Sequence, residues 1–305
     1  MAAPSSSSSS SSSYKYFRLT TPAPFVTHVE INRPDKLNAF HEAMWLELRA
    51  VFAALSSSPD VRAVVLSGAG DRAFSAGLDV VAASQTETLQ GGKGGDAARR
   101  AAGIRRHIVE FQECITAIER CEKPVVCVLH GISYGLAVDI AAAADVRVCA
   151  AGTRMAVKEV DIGLAADIGS LGRLPKVVGS LGWVKEVALT AREFGAEEAL
   201  RVGFVQRVGE SKEAAVREAT ELAGLIARKS PVAVQGTKEI LNHAKDHSVE
   251  ESKSHFQVPL PCLLLTTVVD LKYTAIWNAA NLQTDDIKAA LFSTMKKTKP
   301  TFAKL

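Results

Sequence analysis

Between Lys123 and Gly172 the chain reads KPVVCVLHGISYGLAVDIAAAADVRVCAAGTRMAVKEVDIGLAADIGSLG. No other stretch restricts the fold as much. Val125-Val126-Cys127-Val128-Leu129 is apolar on both faces, as a strand buried inside a sheet must be. A turn bracketed by Gly131 and Gly135 leads into Leu136 to Ala144, a segment apolar all round and therefore suited to a buried helix. One acid, Asp139, interrupts it. Glu159 and Asp167 follow among small and apolar residues in KEVDIGLAAD. A carboxylate in such company needs a partner, or its pKa rises toward a range useful for proton transfer. Three such acids within fifty residues point to a site.

The rest of the chain frames this centre. At 305 residues it can bury a large core. A net charge of +3, with no basic cluster interleaved with aromatics, gives no argument for nucleic acid. No apolar run is long enough to span a bilayer. The five cysteines (Cys114, Cys121, Cys127, Cys149 and Cys262) show no CxxC and no metal-ligand spacing, and read as buried free thiols in a reducing compartment. No metal is expected. Residues 1–13, with nine consecutive serines and no apolar core, read as a disordered tail rather than a secretory signal; a transit peptide is the weaker alternative.

Phe25 to Asn32 alternates as a half-buried strand does, and the Pro, Asp and Asn of Asn32 to Ala39 (NRPDKLNA) mark a loop. Phe40, Met44, Leu48, Val51, Phe52 and Leu55 recur at helical spacing. Val61 to Ser67 reads as a strand, followed by Ala73-Phe74-Ser75-Ala76-Gly77-Leu78-Asp79, whose small residues allow a backbone to approach a ligand closely. Gln85 to Arg100 reads as a polar, mobile loop, and Ile104 to Ile118 as a helix stopped by Glu122-Lys123-Pro124. Phe204 to Val208 forms a short late element; Lys212 to Arg228 and Pro231 to Ala244 read as helices. The repeated order of strand, turn and helix argues for an α/β domain with function on its loops.

These blocks, in this order, resemble the crotonase (enoyl-CoA hydratase/isomerase) superfamily. KEVDIGLAADIG followed by LPKVVG resembles its Δ3,5-Δ2,4-dienoyl-CoA isomerase branch. The resemblance runs from about Phe25 to about Ser252 and resumes at Leu271. It implies an α/β crotonase (ClpP-like) spiral of ββα units over 14–210 and a helical portion over 211–300. It also implies an acyl-CoA thioester substrate, no cofactor beyond the CoA of that substrate, and a homo-oligomer, trimer or hexamer. By the same resemblance the backbone N–H groups of Leu78 and Leu136 form an oxyanion hole. Ser75, Ala76, Gly77, Leu78, Asp79 and Leu136 line the substrate, and Lys36 to Ala39 lie near the pantetheine or adenine. The family usually carries a glycine run where this chain has Gly135-Leu136-Ala137, and the Leu136 side chain is expected to narrow the pocket.

The roles implied for the acids are Glu159 as base at C2, Asp167 as acid at C6, and Asp139 as electrostatic partner, moving a proton across a 3,5-dienoyl-CoA to give the 2,4-isomer. Two alternatives stand beside this: an enoyl-CoA hydratase using Asp139 and Glu159, and a non-catalytic CoA-ester-binding or scaffold protein. Against a functional reading, Glu159 and Asp167 could pair with Lys158 or Arg173 as structural ions. Asp145, Asp161 and His130 read as structural.

Family members run directly from a DHSVEES-like segment into LKYTAIWN-like residues. Here Lys253 to Asp270 intervene, a Pro-broken apolar stretch that reads either as a surface insertion or as translated sequence of an unspliced intron, and that is expected to disturb helix packing or subunit contacts. Ala303-Lys304-Leu305 resembles a peroxisomal address, read by an import receptor; the peroxisome is therefore expected, with the mitochondrion as alternative.

Overall fold

A computed structural model describes residues 14–84, 96–246, 277–278, 281–296 and 298–305. The serine tail, residues 85–95 of the polar loop, and the insertion at 253–270 lie outside the described residues, as does Cys262.

Two sheets share the chain. Strands β1 (Phe17–Ala23), β2 (Val26–Ile31), β3 (Ala63–Gly68), β5 (Val125–Leu129), β7 (Val146–Ala150) and β10 (Arg207–Gly209) form one, in that spatial order. Strands β4 (Ala73–Ser75), β6 (Ile132–Tyr134), β8 (Arg154–Ala156) and β9 (Phe194–Gly195) form the other. The order β3-β4, β5-β6, β7-β8 gives one strand to each sheet per turn, and a helical segment follows each pair. This is a spiral of ββα units. Among these strands β1/β2 and β8/β9 pair antiparallel and the other neighbours pair parallel.

Every residue of β3 and β5 is buried, because both sheet faces are covered. On one face Val64, Leu66, Val125, Cys127 and Leu129 meet α1 (Glu42–Ser57), α3 (Ala97–Arg120) and α4 (Leu136–Ala143) in the main core. There Trp45 stacks on Phe111 with ring centroids 3.9 Å apart. The other face, Ala63, Val65, Val126, Val128 and Val148, packs on α8 (Lys212–Ala227). That helix presents Ala215, Ala219, Ala223 and Ala227 at intervals of four, a stripe of small side chains that brings it close to the strands.

Three sequence expectations change. β1 lies in a stretch whose threonines and prolines hid it; it forms because β2 offers it an edge, with Phe17 opposite Ile31. Ala97 to Arg100, read as loop, belong to α3, which starts where the Asp96 carboxylate caps the Arg99 N–H. Ile132 to Tyr134, read as turn, is a strand because β4 and β8 lie on either side of it.

Further helices are α2 (Val80–Ser84), α5 (Ser170–Val177), α6 (Leu181–Thr190), α7 (Ala196–Arg201), α9 (Pro231–Asp246) and α10 (Asp285–Met295). Lys238 on α9 pairs with Asp145 at 2.7 Å, fixing this helix to the start of β7. No helix among the described residues is long and apolar enough to cross a membrane. Cys114, Cys121, Cys127 and Cys149 are buried free thiols, as their apolar context implies.

Candidate active site

Two backbone N–H groups and two carboxyls converge on the N-terminus of α4. The first N–H comes from the loop after β4. Phe40 bridges Leu78 in parallel fashion, its N–H donating to Gly77 O and its carbonyl accepting from Asp79 N–H, each at 2.8 Å. In such a bridge the N–H of the bridged residue itself points the other way, so the Leu78 N–H faces away from Phe40. Gly77 (φ +92) lies across from α4: a β-carbon on it would stand 2.7 Å from Tyr134 O and 3.5 Å from Leu136 N. The approach therefore requires glycine.

The second N–H is that of Leu136. No side chain caps α4, whose N-cap residue is Gly135 at φ +53. Neither the Leu78 nor the Leu136 N–H has an acceptor among the described residues. Free amides at a helix start carry partial positive charge and suit an oxygen on which negative charge develops. The Leu136 side chain is buried in the core. Its amide, by contrast, stays open.

The loop that carries Leu78 is braced from below. Asn38 is fully buried: its Oδ1 accepts from Arg33 N–H, and its Nδ2 donates to Ala69 O and Ala73 O, each at 2.9 Å. Ser75 Oγ donates to Asn38 O and accepts from Gly77 N–H. Asp79 accepts from the Ala82 N–H and pairs with Arg33 at 2.8 Å, which together hold its carboxyl below the usual range. The side chains of Ser75 and Asp79 therefore shape the loop, and what it presents outward is backbone.

Asp139 lies one turn into α4 and is buried. Its Oδ1 accepts from both the N–H of Ser170 (2.5 Å) and the Ser170 hydroxyl (2.8 Å). Burial pushes its carboxyl up to about 6; the two Ser170 bonds and the Arg173 charge pull the other way, and Asp167 adds to the rise. Glu159 begins a short 3-10 helix, Glu159–Ile162, at the mouth of α4. A β-carbon on Gly135 would sit 3.0 Å from its Oε1. Its Oε2 is buried with no hydrogen-bond partner. Burial first, then the charge of Asp139, raise Glu159 to about 7.

Asp167 sits on the exposed loop before α5, its carbonyl accepting from Gln112 Nε2 at 2.5 Å. It lines a cavity of about 380 Å³ with Thr116, Ile168 and Arg173, a cavity that Glu159 does not line. The apolar surroundings expected for this acid are absent from the single chain. The ion-pair alternative also fails: Lys158 pairs with Asp161 at 2.9 Å, and Arg173 with Glu119 at 2.9 Å. Among the described residues no cation pairs with Glu159 or Asp167. Asp145 and Asp161 are structural as read. His130 Nε2 bonds Gly70 O at 2.8 Å, and burial holds its pKa down near 4, so it serves as a neutral strut. Sequence reasoning missed Ser170 as the partner of Asp139. The only sign of it is a small hydroxyl residue after Gly169, three positions beyond Asp167.

A larger cavity, about 620 Å³, opens at the far end of α4 beside Ala143, Leu225 and Lys238. It touches none of the three acids.

Comparison with known proteins agrees with this geometry. The enoyl-CoA hydratase/isomerase family model matches residues 24–260. The mitochondrial Delta(3,5)-Delta(2,4)-dienoyl-CoA isomerase of Homo sapiens is 43% identical over 96% of this chain and 84% of its own length. The peroxisomal enzyme of that name in Arabidopsis thaliana is 39% identical over 92% and 93%. The crystal structure of an enoyl-CoA hydratase from Bacillus anthracis superposes with a TM-score of 0.76 at 22% identity, covering 95% of this chain and 99% of that one, a likeness of fold. With the spiral of ββα units and a family match over most of its length, this chain belongs to the enoyl-CoA hydratase/isomerase family.

Proposed function

We propose that the protein isomerises 3,5-dienoyl-CoA thioesters to 2,4-dienoyl-CoA. The observation that carries this reading is the buried, partnerless Oε2 of Glu159 beside two free backbone donors. A carboxyl with a pKa of about 7 is matched to proton abstraction at neutral pH. The thioester oxygen accepts from Leu78 and Leu136 N–H, and Glu159 removes the C2 proton. The electron pair delocalises through the diene onto that oxygen. Asp167, at the surface of the single chain, passes a solvent proton to C6, so the double bonds shift with no net change in atoms. Glu159 then returns its proton to solvent and Asp167 regains one. Asp139 stays behind Glu159 as a fixed charge. The chemistry is proton transfer alone and asks for no cofactor beyond the CoA of the substrate.

The dienoyl-CoA isomerase relatives support this reading over hydration. Purified protein incubated with a 3,5-dienoyl-CoA is expected to develop conjugated 2,4-dienoyl absorbance. In a separate incubation with a 2-enoyl-CoA, loss of enoyl absorbance without isomerisation of the dienoyl ester would make it a hydratase, and binding of either ester without turnover a non-catalytic protein.

The same reading takes the working form to be a homo-oligomer, trimer or hexamer, supported by apolar side chains exposed on the single chain at Ile162, Leu181 and Leu189; native mass measures it. It places the work in the peroxisome, with the mitochondrion as alternative, since relatives carry both descriptions. A fluorescent fusion that leaves Ala303-Lys304-Leu305 free tests the location.

A further inference from the structure

Asp139 and Ser170 are 31 residues apart and meet inside the protein. Both are buried, and both Ser170 donors go to one oxygen of Asp139. The backbone around Ser170 is shaped for this. Gly169 precedes it at φ +159, and a β-carbon there would run into the Arg173 guanidinium. Ser170 is also the first residue of α5, so its N–H has no partner within its own helix and is free to serve Asp139. Glu159, whose proton affinity the Asp139 charge raises, keeps its Oε2 buried without a hydrogen-bond partner.

We propose that Ser170 is a positioning residue: by donating its N–H and its hydroxyl to Asp139, it holds that carboxyl as a fixed anion behind Glu159 and thereby sets how readily Glu159 gives up its proton. The charge of one buried carboxylate raises the proton affinity of another nearby, and the pair titrates as a unit. Other charged and titratable groups among the described residues lie around the pair. Arg173 of α5 attracts the Asp139 charge, and Asp167 in the preceding loop repels both acids. On α3, Glu119 is tied to Arg173 and to Lys245 of α9. On β6, Tyr134 donates to Glu193. Ser170 thus supplies the hydrogen bonds that favour ionised Asp139.

The kinetic half of the test rests on the isomerase reading; the titration half does not. In Ser170→Ala, Asp139 keeps its proton to higher pH, Glu159 loses the repulsion, and the midpoint of Glu159 falls by about 0.5–1 pH unit. Carbon-13 NMR of the Glu159 carboxyl in unliganded protein reads this directly. The acid limb of kcat/KM for a 3,5-dienoyl-CoA moves with it. Ser170→Thr, which keeps a hydroxyl, holds the limb near its original pH. Asp139→Asn moves it the same way as Ser170→Ala, and the double variant moves it no further, as expected for two residues acting through one interaction. A structural cap alone would lower Tm and scale kcat/KM equally at all pH. An unmoved Glu159 midpoint in both Ser170→Ala and Asp139→Asn overturns the proposal. Absence of turnover by the unmodified protein overturns the isomerase reading and leaves the NMR result to decide the role of Ser170.

Discussion

The Glu159 carboxylate lies against the place where a side chain on Gly135 would be, with Oε1 3.0 Å from that β-carbon position. Gly135 also holds φ +53 with ψ −117, a sparsely populated backbone region that costs other residues about 1–3 kcal/mol. One glycine therefore starts α4, leaves its amides open and makes room for the acid beside them. Gly135→Ala is expected to lower kcat/KM by about 100-fold or more, because a displacement near 1 Å at the reacting groups carries that penalty. Thermal unfolding would show the smaller backbone cost. Wild-type turnover in this variant would mean that Glu159 is not where the chemistry occurs.

Glu159→Gln separates activity from stability. Removing a general base is expected to cost about 10²–10⁴ in kcat. Stability moves the opposite way at high pH. Glu159 has a folded pKa of about 7 against an ordinary 4.5, so its stabilising contribution is complete below about 4.5 and is lost as pH rises through about 7. Glutamine loses nothing over that range. Relative to wild type, the variant should gain about 2 kcal/mol between pH 5 and pH 8, allowing for partial solvation. Denaturant unfolding at the two pH values measures it, and comparison at each pH cancels the titration of His130.

Asp167→Asn is expected to reduce formation of 2,4-dienoyl product by about 10²–10⁴, with affinity for the thioester retained. Its carboxyl carries no structural ion pair among the described residues, so the fold should persist. Intact isomerisation in this variant would refute its assignment as the acid at C6.

Asn38→Ala removes the brace under the Leu78 loop. Two carbonyls and one N–H would lose their partners inside the protein, and alanine would have to adopt φ +54. The expected cost is about 2–4 kcal/mol in stability, read by denaturant unfolding, together with weaker turnover.

Ala219→Leu tests the fold apart from the site. Ala219 is fully buried in the stripe of α8 that packs with Val65 and Val126, and leucine would add three carbons to that contact. Overpacking there should cost about 1–3 kcal/mol and leave the pH dependence of activity where it was.

The stretch from Lys123 to Gly172 was legible because its pattern is local. A run apolar on both faces, a glycine-bracketed bend and a wholly apolar helix can be built only inside a layered domain, and the lone Asp139 marks that interior as unusual. β1 was not legible, because its pairing depends on an edge that β2 provides. β6 looked like a turn because a three-residue strand exists only through its neighbours. Ser75 and Asp79 looked like substrate contacts because they stand in the right motif; the structure commits their side chains to Asn38, Gly77 and Arg33.

By itself the sequence determined the residue types: apolar strands and helices, the glycines that permit close approach, and three acids with the spacing of the family. Only the tertiary structure decided how those acids differ. Asp139 is sealed against Ser170, Glu159 is half-buried with one oxygen inside and unpartnered, and Asp167 stands at the surface. The reason is physical: the proton affinity of a carboxyl depends on the water, hydrogen bonds and charges around it. For these three acids, those surroundings come from segments far apart in the chain.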